Sequence, residues 1–199
     1  MCRKWNGAYT ERAAKRRIER DGAIIARASA LTGVPAECIA AVEANELTRI
    51  NWLDVAADFF VWPLQLRPDS STGPMQIFAH VAVKALGAAI ADGALSEADL
   101  PCPLPASDGD RGGRLRVWRK LHGDRAFNLL AGACNLRACA LEKAETCDFS
   151  SLPEDRLSMV FSRYNGFGES ADSYGRACVA RMKGLPAPSA RKAGRHERA

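Results

Sequence analysis

The sequence predicts an all-α domain, on three observations. Apolar residues recur at helical spacing along most of the 199-residue chain, while the strict alternation that marks a half-buried strand is nearly absent. Residues suited to starting and stopping helices fall where those apolar patterns begin and end. The length suits one domain with tails, large enough to bury a substantial core.

The elements follow in order. "TERAAKRRIERDGAIIARASALTG" opens with Thr10 as an N-cap and stops near Gly33, with Ile18, Ile25 and Ala28 on an inner stripe. "PAECIAAVEANELT" starts at Pro35, whose missing N–H costs little at a helix start. The punctuated stretch "RINWLDVAADFFVWPLQLRPDSSTGP" is expected to hold a short helix near 52–60, a small β-hairpin or an irregular segment. Helices are predicted again at about 76–91, 114–121, 124–145, 153–164 and 169–184, with a polar Pro/Gly-rich loop near 92–113. Residues 1–32 are read as a basic N-terminal helix packed on the main domain at 33–185, and 186–199 as a flexible basic tail.

Composition narrows the function classes. The chain is 47% hydrophobic and 26% charged, as soluble globular proteins are. No run is long enough for a membrane span, and the N-terminus lacks an apolar signal core. The expectation is synthesis in the cytoplasm without a Sec signal. The net charge of +5 belongs to the ends: residues 1–20 hold seven Lys/Arg against two Glu and residues 181–199 six against one, leaving the middle at −5. Basic ends suit phosphate, an anionic wall or an acidic partner, and equally suit solvated termini. The seven cysteines form no CxxC pair, and the three histidines are scattered, so no metal site is expected. One disulfide among Cys102, Cys139 and Cys147 is considered for an oxidising compartment.

"AAVEANELT" carries the first chemical signal, two glutamates three residues apart on an apolar helix. On a wheel of about 100° per residue starting at Cys38, Glu46 falls at about 80°, inside the apolar arc, and Glu43 at about 140°, at its margin. Desolvation and the negative end of the helix dipole both raise the pKa of a carboxyl placed like Glu46. Such a group holds a proton for a poor leaving group, as a general acid must. The alternative is a helix-end carboxylate bonded to an arginine such as Arg49.

Downstream come "DSSTGPMQIF" at 69–78, "NLLAGACNLRACALEKA" and "FSRYNGFGESADSYGRACVARM". A helix ending in Glu, a variable loop, a Gly-x-Met-Gln-Ile turn, a long central helix and a Tyr-Asn-Gly turn, in that order, resemble the lysozyme-like superfamily. The likeness is to its soluble lytic transglycosylases and goose-type lysozymes, over roughly residues 33–183. The resemblance implies a lysozyme-like helical domain with a cleft that cuts peptidoglycan between N-acetylmuramic acid and N-acetylglucosamine. It makes Glu46 the catalytic acid and puts Thr72, Gly73, Met75 and Gln76 in the turn lining the cleft. Tyr164, Asn165 and Tyr174 then reach substrate from across the groove. Leu47, Thr72 and Pro74 stand where the family usually has Ser, Ser and Leu.

A transglycosylase needs only the one glutamate, whereas an inverting muramidase needs a second carboxylate. Asp54, Asp58 and Asp69 are the candidates, with Asp69 preferred for its place just before the turn; its other reading is a loop cap. Trp52, Phe60 and Trp62 lie where aromatics stack on sugars or simply cover the loop. Neither route calls for a cofactor. The expected partners are glycan strands and, if a phage or secretion system delivers the chain to the periplasm or cell wall, a cognate immunity protein. A non-catalytic glycan-binding module and a helical nucleic-acid binder remain the competing readings; against the second, the basic residues flank the fold.

Overall fold

The computed structural model describes residues 9–62, 64–66 and 69–185, and of residue 52 the backbone alone. The segments 1–8 and 186–199, the Trp52 side chain and the predicted flexible tail lie outside the described residues. The fold is all-α. Among the described residues the helices are α1 (Glu11–Thr32), α2 (Ala36–Arg49), α3 (Trp52–Val61), α4 (Ala79–Ala91), α5 (Arg111–Gly123), α6 (Arg125–Ala144), α7 (Glu154–Asn165) and α8 (Glu169–Gly184). Short 3₁₀ turns occupy Glu97–Asp99 and Phe149–Ser151. No helix among the described residues is long and apolar enough to cross a membrane.

The ends of the helices follow their side chains. Thr10 Oγ1 accepts the Ala13 amide at 3.3 Å, and Gly33 closes α1 at φ +73°, a left-handed conformation costly for a side chain. Asn51 and Asp54 form a reciprocal box at the start of α3. Asp110 and Asp124 cap α5 and α6. Of the segment between α2 and the turn, Trp52–Val61 is helical, and among the described residues the hairpin character is a lone antiparallel bridge between Thr72 and Ile77.

Two large apolar clusters make most of the core, and a small third joins Ala14, Leu47 and Ile50. One joins α1 and α2 to α6, α7 and α8 through Ile18, Ile25, Ile39, Val42, Leu136, Phe161 and Tyr174. The other joins α4 and α5 to α6 through Leu86, Val117, Trp118, Leu121 and Phe127. Helix α6 belongs to both, and so does the short turn, whose Met75 enters the first cluster and Ile77 the second. Because α1 contributes Ile18, Ile25 and Ala28 to the main cluster, it is part of the core as well as a basic surface.

Cys38, Cys134, Cys139 and Cys178 are buried in these clusters, where desolvation pushes each thiol up to about 12. All six described cysteines are free thiols. The disulfide considered among Cys102, Cys139 and Cys147 is therefore absent: Cys139 packs in the apolar core, and Cys102 and Cys147 are unpaired.

Candidate active site

The turn is held by α6. Asn128, fully buried on α6, accepts the Met75 amide at 2.8 Å and donates to the carbonyls of Thr72 (2.9 Å) and Leu121 (3.2 Å). One side chain thus satisfies backbone groups that burial would otherwise leave orphaned. Gly73 sits against this amide at φ +71°, and a Cβ there would come within 2.2 Å of Asn128 Nδ2. Only glycine meets both the conformation and the close approach. Met75 is fully buried, and its side chain fills the space a Cβ would occupy on Gly132. Gln76 takes φ +43° and folds back, its amide donating to Gly73 O at 2.8 Å.

Glu46 leaves the last turn of α2 and reaches Tyr174 of α8, whose hydroxyl donates to Oε1 at 2.6 Å. The Tyr174 ring is fully buried and stacks on Tyr164 of α7, with centroids 6.5 Å apart and planes 13° apart. The Tyr164 hydroxyl donates to Met75 O at 2.9 Å. An unbroken sequence of contacts therefore ties the acid to the turn: Glu46, Tyr174, Tyr164, Met75, Asn128. The resemblance has both tyrosines reach substrate; in the structure the fully buried Tyr174 holds the Glu46 carboxyl and Tyr164 holds the turn.

A groove opens over these residues in two halves. The larger, about 740 Å³, is lined by Glu46, Arg49, Gln76, Asn135, Tyr164 and Asn165 among others. The smaller, about 550 Å³, is lined by Tyr9, Asp58, Phe59, Trp62, Gly73 and His122 among others. Ile50, Asp54 and Gln76 line both and mark the junction.

Burial pushes Glu46 up to about 7, outweighing the Tyr174 hydrogen bond and the Arg49 charge, which favour its ionised form; the nearby Asp54 carboxylate adds to the rise. The alternative of a simple Glu46–Arg49 ion pair is not what forms, since the Arg49 guanidinium lies 5.3 Å from the centre of the Tyr174 ring. With Oε1 engaged by Tyr174, Oε2 is the oxygen left to carry a proton toward the groove.

Glu43 reverses the wheel reading. It is the more deeply buried of the two, at 0% exposure, while Glu46 is half-buried. Helix α2 is enclosed almost all round, from Cys38 to Asn45 and at Leu47, so a single apolar arc does not describe it. Glu43 Oε1 accepts from Arg125 at 2.5 Å, and Arg125 also bonds Asp21, which Arg17 holds from the other side. Burial still pushes the Glu43 carboxyl well up despite Arg125, and the neighbouring Asp21 pushes the same way.

The remaining candidates separate into lining and support. Asp69 lines neither half of the groove. Its Oδ1 accepts the Ala79 amide at 2.9 Å, and its Oδ2 accepts the His80 amide at 2.9 Å and lies 2.8 Å from His80 Nδ1. Asp69 is thus the cap of α4, correcting the expectation that it borders the cleft. Thr72 is fully buried, with its hydroxyl 3.0 Å from Asp58 Oδ2 and 2.9 Å from His122 Nδ1, and it supports the turn from behind.

Asp54, one of the two candidates named beside Asp69, is the carboxylate that lines both halves; its Oδ2 takes the Asn51 amide at 2.8 Å, leaving Oδ1 open. Arg49, Asn135 and His122 line the groove without having been singled out for it. His122 stacks on Trp118, with centroids 5.0 Å apart, through a contact between residues one helical turn apart that the wheel of α5 contains.

No protein-family model, curated protein or solved structure matches this chain.

Proposed function

We propose that the chain is a peptidoglycan-cleaving glycosidase, a lytic transglycosylase or muramidase, that cuts between N-acetylmuramic acid and N-acetylglucosamine with Glu46 as general acid. The observation that carries this reading is the half-buried Glu46 carboxyl, pushed up to about 7, opening on a groove with Tyr174 fixed on its inner oxygen. A carboxyl so poised is protonated in a large fraction of molecules near neutral pH and can transfer that proton from Oε2 to a glycosidic oxygen as the bond breaks. The order of elements along the sequence supplies the substrate class, by resemblance to lysozyme-like enzymes.

After bond breaking the two activities part. In the transglycosylase route the ionised Glu46 takes the proton of the muramyl hydroxymethyl, whose oxygen closes an anhydro ring. In the hydrolytic route a second carboxylate activates water, and Asp54, which lines both halves of the groove, is the candidate for it. Purified sacculi incubated with the protein and with Glu46→Gln test the reading: soluble muropeptides are expected from the first alone, and equal release by both overturns it. Mass spectrometry of the products assigns the route from anhydro or reducing ends.

A further inference from the structure

Helix α3 is amphipathic the wrong way round. At about 100° per residue, Val61, Asp54 and Asp58 share one side, while Leu53, Val55, Ala56, Phe59 and Phe60 sweep an arc of about 160° on the other. The first side faces the protein: Val61 is fully buried and Asp58 accepts hydrogen bonds from Ser70 and Thr72. The apolar arc faces out, with Leu53 57% and Phe59 56% exposed, and the chain beyond continues it with exposed Trp62, Leu64 and, at 70%, Leu66. A soluble helix normally turns its apolar stripe inward. An outward apolar face of this extent marks a surface that something covers.

Two features choose the occupant. Leu53, Phe60, Leu64 and Leu66 line neither half of the groove, and leucines offer no flat face to a sugar, so glycan stacking accounts for Phe59 and Trp62 at most. At the edge of the same patch, the Arg119 guanidinium of α5 lies 4.2 Å over the Trp62 ring. Arg116 and Arg119 are both exposed, and neither has a carboxylate partner among the described residues. No charged side chain interrupts the apolar arc itself.

We propose that α3 and the segment after it dock on an anionic lipid surface. The apolar arc sinks to the level of the acyl chains, Trp62 sits at the interface, and Arg116 and Arg119 meet the headgroup phosphates. This is attachment to one leaflet and requires no spanning helix. The smaller half of the groove, which Val55, Phe59 and Trp62 line, then lies beside the docked face, and Glu46 lines the other half. The proposal stands apart from the glycosidase reading, since its readout needs no catalysis.

The test is co-sedimentation of the full chain with vesicles of phosphatidylcholine, with and without phosphatidylglycerol. Wild type is expected to pellet with the anionic vesicles. The triple variant Leu53→Ser/Phe60→Ser/Leu66→Ser, altered only at exposed positions, is expected to keep its melting temperature while its partition falls on the order of tenfold or more. Arg116→Glu/Arg119→Glu is expected to lose the preference for anionic vesicles. Wild type that ignores anionic vesicles overturns the proposal. So does a triple variant that binds as wild type does, which assigns the attraction to the basic chain ends. A wild-type dimer that the triple variant converts to monomer, with vesicle binding unchanged or absent, also overturns it and makes the face a contact between copies of the chain.

Discussion

Glu43 and Glu46 stand three residues apart on α2, and burial raises the proton affinity of both, yet they have opposite surroundings. Glu43 is sealed among α1, α2 and α6, its carboxyl facing Arg125 and Asp21 with one oxygen left unpartnered. Glu46 meets a single neutral hydroxyl and opens on the groove. Desolvation alone therefore does not make a catalytic acid. A proton must also have somewhere to go, and only Glu46 has space beside it for a substrate. Glu43 shows what the same physics does in a closed place, where it helps hold three helices together.

Substitutions that treat the two carboxyls alike give the largest contrast. Glu46→Gln is expected to reduce muropeptide release on the order of 10²–10⁴-fold while leaving the fold intact, as circular dichroism and melting will report. Glu43→Gln is expected to leave most of the release in place; loss of activity there with retention in Glu46→Gln would invert the assignment. Glu43→Ala removes one of the two buried carboxylates that Arg125 meets, leaving Asp21, and is expected to cost about 1–3 kcal/mol in denaturant unfolding, a penalty Glu43→Gln largely avoids by keeping hydrogen-bonding atoms in place.

Smaller effects sharpen the same contrast. Tyr174→Phe removes the one hydroxyl that favours ionised Glu46, and release is expected to drop by about tenfold to a hundredfold. The basic limb of its pH profile should move to higher pH, a shift that a merely structural role would not produce. In the wild type, kcat/KM is expected to fall as pH rises through about 7, as Glu46 loses its proton.

Stability should follow the same group. The folded state holds the Glu46 proton more tightly than the unfolded chain, so this contribution is complete below about 4.5 and is lost as pH rises through about 7. Glu46→Gln should remove that part of the pH dependence. The smallest expected effect is at Asp69: Asp69→Ala loses the cap of α4, about 1 kcal/mol, with the type of muropeptide end unchanged. A change from reducing to anhydro ends in that variant would return Asp69 to the chemistry, whereas such a change in Asp54→Asn would support Asp54.

Much of the helix layout was legible because periodicity and capping are local. The end of α1 at Gly33, the span of α8 and the limits of α6 to within a residue all follow from side chains within a turn or two of the boundary. The place of Asp69 was less legible, since a loop aspartate caps a helix or enters a cleft according to where the following helix lies in space. The open reading of 52–60 was settled as helix by the Asn51–Asp54 box, which is local. The outward direction of its apolar face was not, because periodicity identifies a stripe without saying which side the rest of the molecule occupies.

By itself the sequence determined an all-α chain and a glutamate at the end of an apolar helix, both consequences of spacing, while a glycine turn sharing a groove with that glutamate was implied by the resemblance alone. Tertiary structure decided which glutamate is sealed and which is open, that Tyr174 and not Tyr164 holds the acid, and that Asp69 serves α4. These outcomes depend on helices brought together from as far as 128 positions along the chain, as Tyr174 is to Glu46. Burial and hydrogen bonding at that range are set by packing, which no local pattern encodes.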